Sequence, residues 1–208
     1  MKRFLISLLA LGSIASLGAT TLSYTVTVDS SSIGTSTPGF IEFQFNQANA
    51  STSPAATASV SDFTSTGFTF DDTTNASLGG VSGSLSTLPL AFDNTVGGTN
   101  LYDQGVSRFG ATFSFILTLS GAALDNTATD GSEFFVYLLG VSPDYSPLVG
   151  TDGTAATVTI NGDTTITLGA VTDLSTITVA AATPEPSSVL LFGLGVGMLV
   201  AVRFAVRE

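Results

Sequence analysis

Val158-Thr159-Ile160-Asn161-Gly162-Asp163-Thr164-Thr165-Ile166 alternates apolar and polar side chains on both sides of an Asn-Gly pair. Alternation with a period of two sends every second side chain to one face of a strand, and Asn-Gly supplies the positive φ angles of a tight hairpin turn. The stretch therefore predicts two antiparallel strands joined by a tight hairpin turn at Asn161-Gly162. Leu22-Ser23-Tyr24-Thr25-Val26-Thr27-Val28 has the same period. Similar runs predict strands at 24–28, 40–45, 58–63, 67–70, 82–90, 111–119, 134–139, 154–160, 164–168 and 175–180. Phe113-Ser114-Phe115-Ile116-Leu117-Thr118-Leu119 and Phe134-Phe135-Val136-Tyr137-Leu138-Leu139 are more apolar, as central strands buried on both faces would be.

Helix formers are scarce around these runs. Residues 19–183 contain no Lys and only Glu42 and Glu133 as glutamates, with much Thr, Ser, Val, Phe and Gly. About ten short strands separated by Gly-, Asn- and Asp-rich turns predict a mainly β fold, an antiparallel β-sandwich of jelly-roll or immunoglobulin-like type. No internal repeat is visible. The 208 residues suffice for one domain plus targeting segments.

The two ends differ from the middle. Met1-Lys2-Arg3, then Phe4-Leu5-Ile6-Ser7-Leu8-Leu9-Ala10-Leu11, has the charged and apolar regions of a secretory signal peptide over residues 1–18. Ser16 and Gly18 supply the small residues for cleavage before Ala19. The exported domain is expected over 19–180, and the remaining 181–208 forms a separate tail. There Pro184-Glu185-Pro186 precedes a fourteen-residue apolar run from Val189, followed by Arg203 and Arg207. Helical, that run covers only ~21 Å, so crossing a ~30 Å hydrocarbon core draws in its flanks, with Arg203 reaching back to the interface. The single C-terminal transmembrane helix so predicted keeps Arg203 and Arg207 cytoplasmic and the domain on the export side. Two prolines hold the tripeptide extended and outside the helix.

Between 19 and 183, Arg108 is the sole basic residue against fourteen acidic ones. A segment so negative repels polyanions, which excludes nucleic acid as a partner. With no Cys and no His in the chain, thiol chemistry and the usual nucleophile–base pairs are unavailable. Catalysis would rest on carboxylates, and no spacing identifies a pair, so no enzyme activity and no catalytic residue are expected. Asp125-Asn126-Thr127-Ala128-Thr129-Asp130-Gly131-Ser132-Glu133 clusters oxygen donors, which makes Asp125, Asp130 and Glu133 candidate calcium ligands. Asp and Asn are equally the residues of solvated turns, and no cofactor is otherwise expected. Asp71-Asp72 and Asp93-Asn94 offer less. Extracellular polysaccharide is a candidate partner, yet there is no Trp, four Tyr reveal no platform, and most Phe fall at positions expected to be core.

The tail resembles the PEP-CTERM sorting signal in its order: Pro184-Glu185-Pro186, a Ser-containing junction, a Gly-studded apolar helix and a short Arg-containing end. The resemblance covers about the last 25 residues. It implies an exosortase as partner, transient anchoring in the inner membrane of a Gram-negative bacterium, and a destination at the cell surface or in the exopolysaccharide or biofilm matrix. A structural or adhesive role is the corresponding expectation, with a carbohydrate-binding module as the alternative.

Overall fold

The computed structural model describes residues 20–141 and 143–180. The signal peptide, its cleavage point at Ala19, the sorting tripeptide, the apolar helix and both terminal arginines lie outside the described residues. Thirteen strands follow in chain order: β1 (Thr21–Asp29), β2 (Gly39–Gln47), β3 (Thr57–Thr66), β4 (Thr69–Phe70), β5 (Ala76–Leu78), β6 (Val81–Ser84), β7 (Thr87–Asp93), β8 (Leu101–Arg108), β9 (Thr112–Ser120), β10 (Ser132–Gly140), β11 (Thr154–Ile160), β12 (Ile166–Ala170) and β13 (Ser175–Val179). They build two antiparallel sheets. The first has the order β13-β1-β9-β3-β7-β6, and the second β12-β11-β10-β2-β8-β4, with β5 also paired to β8.

The sheets share one core because alternation gives each strand one apolar face. Val26 and Val28 of β1, Phe113, Phe115, Leu117 and Leu119 of β9, and Phe43 and Phe45 of β2 are buried on the inner side. Aromatic rings lock across the gap. Phe43 of the second sheet meets Phe115 of the first edge-on, with centroids 5.5 Å apart, and Phe92 meets Phe134 at 6.0 Å. Edge-to-face geometry aligns the positive rim of one ring with the negative face of the other.

Some expectations need correction. The 158–166 hairpin is present, but the positive φ does not fall on Asn161-Gly162 and the second strand starts at Ile166 rather than at 164. Asn161 N–H donates to Thr165 O, Thr164 N–H donates to Asn161 O, and Thr164 itself carries the positive φ of 69°. This is a three-residue loop in which Asp163 Oδ1 accepts from Thr165 N–H at 3.0 Å, so an acidic side chain supports the bend. Strands β9 and β10 are central, yet each buries one face fully and the other in part. The segment expected as one strand at 82–90 folds back on itself as β6 and β7, with Ser84 opposite Thr87 and no Gly, Asn or Pro between them to announce the turn.

Strand β8 was not expected at all. Its inward residues are Tyr102, Gln104 and Val106, and the buried Gln104 breaks the apolar alternation. The amide is satisfied rather than exposed: Gln104 Nε2 donates to Asp72 Oδ1 at 2.9 Å and its Oε1 accepts from the Tyr102 hydroxyl at 3.0 Å. Burial of a polar group is tolerable on these terms.

The chain enters β1 and leaves β13 at one pole, because the strands run antiparallel with Tyr24 opposite Val179 and Ala180 N–H donates to Ser23 O.

Candidate functional site

Five of the acidic residues close loops. Asp29, Asp71, Asp93, Asp152 and Asp163 each accept from the backbone N–H two positions ahead, the Asx-turn arrangement that closes loops. Hydrogen bonds from Ser31, Thr95 and Thr165 side chains hold the carboxyls of Asp29, Asp93 and Asp163 below the usual range, as the Thr154 backbone does for Asp152. These are structural acids.

The residues proposed for calcium are not brought together. Asp125 accepts from the Thr20 hydroxyl, Asp130 from the Thr52 hydroxyl, and Glu133 from the Thr159 hydroxyl at 3.0 Å. Each carboxylate is engaged by a different segment. Among the described residues no three acidic side chains converge on a common point.

Two further acids, Glu42 and Asp103, lie on the outer face of the second sheet. Strand β2 sends Glu42, Gln44 and Asn46 outward as alternate residues, since Ile41, Phe43 and Phe45 occupy the inner positions. Register then decides their company. Glu42 lies opposite Asp103 of β8 on one side and Tyr137 of β10 on the other; Gln44 faces Phe135, and Asn46 faces Glu133. A directed chain of hydrogen bonds runs along β2: Asn100 N–H donates to Asn46 Oδ1 (2.7 Å), Asn46 Nδ2 to Gln44 Oε1 (3.0 Å), and Gln44 Nε2 to Glu42 Oε1 (2.5 Å). The chain fixes both amide orientations and delivers a donor to Glu42.

At its end sit two carboxyl groups. Asp103 is 9 % exposed, and its Oδ1 is the buried side-chain oxygen without a hydrogen-bond partner among the described residues. Burial, then a hydrogen bond to Glu42 and that residue's negative charge, pushes the Asp103 carboxyl up to about 7. Burial also raises the Tyr137 hydroxyl, with Glu42, Asp152 and Glu133 adding to it.

Beside this polar row lies aromatic surface. Phe135 and Tyr137, both half-buried, stack with centroids 5.3 Å apart and planes 15° from parallel. Nearer the far pole Tyr145, 44 % exposed, packs on Phe40 at 5.7 Å. Most described Phe residues do lie in the core as expected, and Phe135 on this face is the exception. Glu42, Gln44 and Asn46 could have been found as polar residues at i, i+2 and i+4 of an alternating strand, whereas Asp103 sits on a strand that the pattern hid.

A separate depression of about 410 Å³ lies at the far pole between Leu148–Gly150 and 171–174. Asp173 is its one charged lining residue.

Residues 182–207 match the family model described as the PEP-CTERM protein-sorting motif. The chain carries a PEP-CTERM sorting signal. This motif marks an exosortase-sorted extracellular protein and implies export with a membrane-associated sorting step in a Gram-negative bacterium. No curated protein and no solved structure matches the chain. The PEP-CTERM motif starts two residues beyond the last described residue, and the described residues end at the pole where β1 begins.

Proposed function

We propose that this PEP-CTERM protein is an adhesive component of the cell surface or extracellular matrix that binds polysaccharide, without cleaving it, on the outer face of its second sheet. The observation that carries the reading is the Phe135–Tyr137 stack lying alongside the fixed Glu42–Gln44–Asn46 row. A pyranose has apolar C–H faces, which pack on aromatic surface, and a rim of hydroxyls, which need donors and acceptors held in place. Both kinds of group lie within neighbouring strands. The fold supporting this face is a sandwich of the jelly-roll rather than the immunoglobulin-like type, because long strands keep crossing between sheets, from β1 to β2 to β3 and from β7 to β8, β9 and β10.

Binding without hydrolysis is the reading favoured by the state of the two acids: Glu42 is tied to the Gln44 amide and Asp103 is buried, so neither carboxyl stands free to act on a glycosidic oxygen. A glycan array probed with wild type and with Phe135→Ala tests the reading. Retention of a polysaccharide that the variant loses supports it; no retained glycan, or equal retention by both, refutes it. Turnover of the retained polymer that disappears in Glu42→Gln would overturn the non-catalytic part.

The sorting step has its own test. Pro184→Ala combined with Pro186→Ala should leave export intact and hinder processing, because the extended element is lost and the apolar run is unchanged. Mass spectrometry from hosts with and without exosortase reads this. A chain ending at Glu208 in both hosts would mean a permanent anchor.

A further inference from the structure

We infer that the outer face of the second sheet takes a linear polysaccharide without acidic groups, laid lengthwise along β2 and β10, with Tyr145 as a further sugar-contacting ring at its far end. The inference rests on the binding reading above and adds to it the class of polymer, its direction and one residue.

Direction comes from the register. Phe135 and Tyr137 are successive outward residues of β10; Tyr137 lies opposite Glu42, and the next such pair toward the far pole is Leu139 opposite Phe40. Phe40 alternates with the inward Ile41 and Phe43, so its ring belongs to the outer face, and the Tyr145 ring packs on it. The level of Leu139 and Phe40 is four residues beyond Phe135, roughly 14 Å at strand rise. One sugar ring cannot reach both ends, whereas a chain running along the strands passes over each in turn. A chain crossing the strands at this level meets an obstacle, because Thr74 and the Asp71 carbonyl crowd the outer side of Gly105, the β8 residue opposite Phe40.

Tyr145 is held in an unusual way. Its φ is +42°, a left-handed conformation that a residue with a large side chain adopts at a cost. The backbone is turned back by the hydrogen bond from Tyr145 N–H to Val141 O. In return the ring covers Phe40 almost completely and keeps its own opposite surface open. A strained backbone that spreads an aromatic ring over a surface, instead of burying it between the sheets, fits a residue retained for what it presents.

Charge sets the class. Glu42, Asp152 and Glu133 all lie close enough to the Tyr137 hydroxyl to act on it electrostatically. Arg108, the one basic side chain between residues 19 and 183, sits at the end of β8, five residues beyond Asp103 and roughly 17 Å from it at strand rise. A uronate or sulfate on the polymer would therefore meet like charge with no cation to pair with. Salt screens that repulsion, and a polymer without acidic groups avoids it.

Retention of the full-length chain, in a detergent without a sugar headgroup, on immobilised β-glucan, mannan and galactan tests the class. Each polymer is also used with its primary hydroxyls oxidised to carboxylates. At least one native polymer should be retained, its oxidised form should bind at least ~10-fold more weakly at low salt, and the gap should narrow at ~1 M salt. Equal binding of the oxidised form at low salt overturns the class and leaves the binding reading; retention of no polymer removes both. Calorimetry with oligosaccharides of the retained polymer, from disaccharide to octasaccharide, tests direction and residue. Affinity should rise with length, and Tyr145→Ala should weaken the octasaccharide ~10-fold, leave the disaccharide unchanged and be reversed by Tyr145→Phe. Should the Ala variant fail to fold, Tyr145→Gly removes the ring in a residue that tolerates the positive φ. A disaccharide bound as tightly as the octasaccharide, or an octasaccharide indifferent to loss of the ring, overturns the lengthwise placement.

Discussion

The outer faces of the two sheets are built on the same alternation and have opposite chemistry. On the first sheet most outward residues of the central strands are small hydroxyls, paired across strands as Ser23 with Thr118, Thr27 with Ser114 and Thr57 with Ser120 at 2.7–3.0 Å. On the second they are carboxylates, amides and aromatic rings joined in one row. Hydroxyl ladders satisfy one another and present a uniform surface, which is what a wall needs. The second face holds a buried acid with an unpaired oxygen, which does not help the fold, and half-buried rings. This difference is the reason the proposed binding is placed on the second sheet.

The largest expected effect lies between the faces. Phe43→Ala removes a fully buried ring that touches both Phe115 and Phe134, and should cost ~3–5 kcal/mol of stability in denaturant unfolding. A loss below ~1 kcal/mol would mean that the sheets do not share the core described here.

Next is the pH dependence that distinguishes the second face. Asp103 has a folded value of about 7 against an ordinary 3.8, so the folded protein holds a proton that the unfolded chain releases in that window. Stability should therefore fall as pH rises from about 4 to about 7 and level off above. Asp103→Asn should abolish a decline on the order of 1–2 kcal/mol between about pH 5.5 and about pH 8 in calcium-free buffer. The Asx-turn acids act in the opposite sense. Their lowered values give stability present above about pH 4 and lost only as pH drops further.

A smaller effect is expected from Phe135→Ala. Half-buried, it should cost less stability than Phe43→Ala while weakening polysaccharide binding ~10-fold, which is about 1.4 kcal/mol. Smallest of all, Thr118→Ala on the first sheet should change stability by less than ~0.5 kcal/mol and leave binding unaltered. Loss of binding there would erase the contrast between the faces.

Much of the architecture was legible because it depends on local alternation. The strands at 24–28, 40–45, 154–160 and 175–180 can be read from residues two apart, and they fall within β1, β2, β11 and the β13 region. Pairing across the sheets is not local. Glu42 is 61 positions from Asp103 and 95 from Tyr137 in sequence, and only the registers of β2 with β8 and β10 make them neighbours. Strand β8 was hidden for a related reason: Gln104 is stabilised inside by Asp72 and Asn75, partners that no periodicity reveals. The acidic loop at 125–133 misled because its oxygens are taken by distant hydroxyls of Thr20, Thr52 and Thr159.

The placement of β13 has a mechanical consequence. It is an edge strand held to β1 by five registered residue pairs, and it delivers the chain at Ala180 beside the start of β1. A pull transmitted from polymer gripped on the second sheet to a tether beyond Ala180 would load β13 along its own length. The bonds of all five pairs then share the strain in shear rather than parting one after another as in peeling. Under such a load a short strand at the border of a sheet would act as a strap, and the force that it withstands would limit how firmly a tethered chain holds a bound polymer.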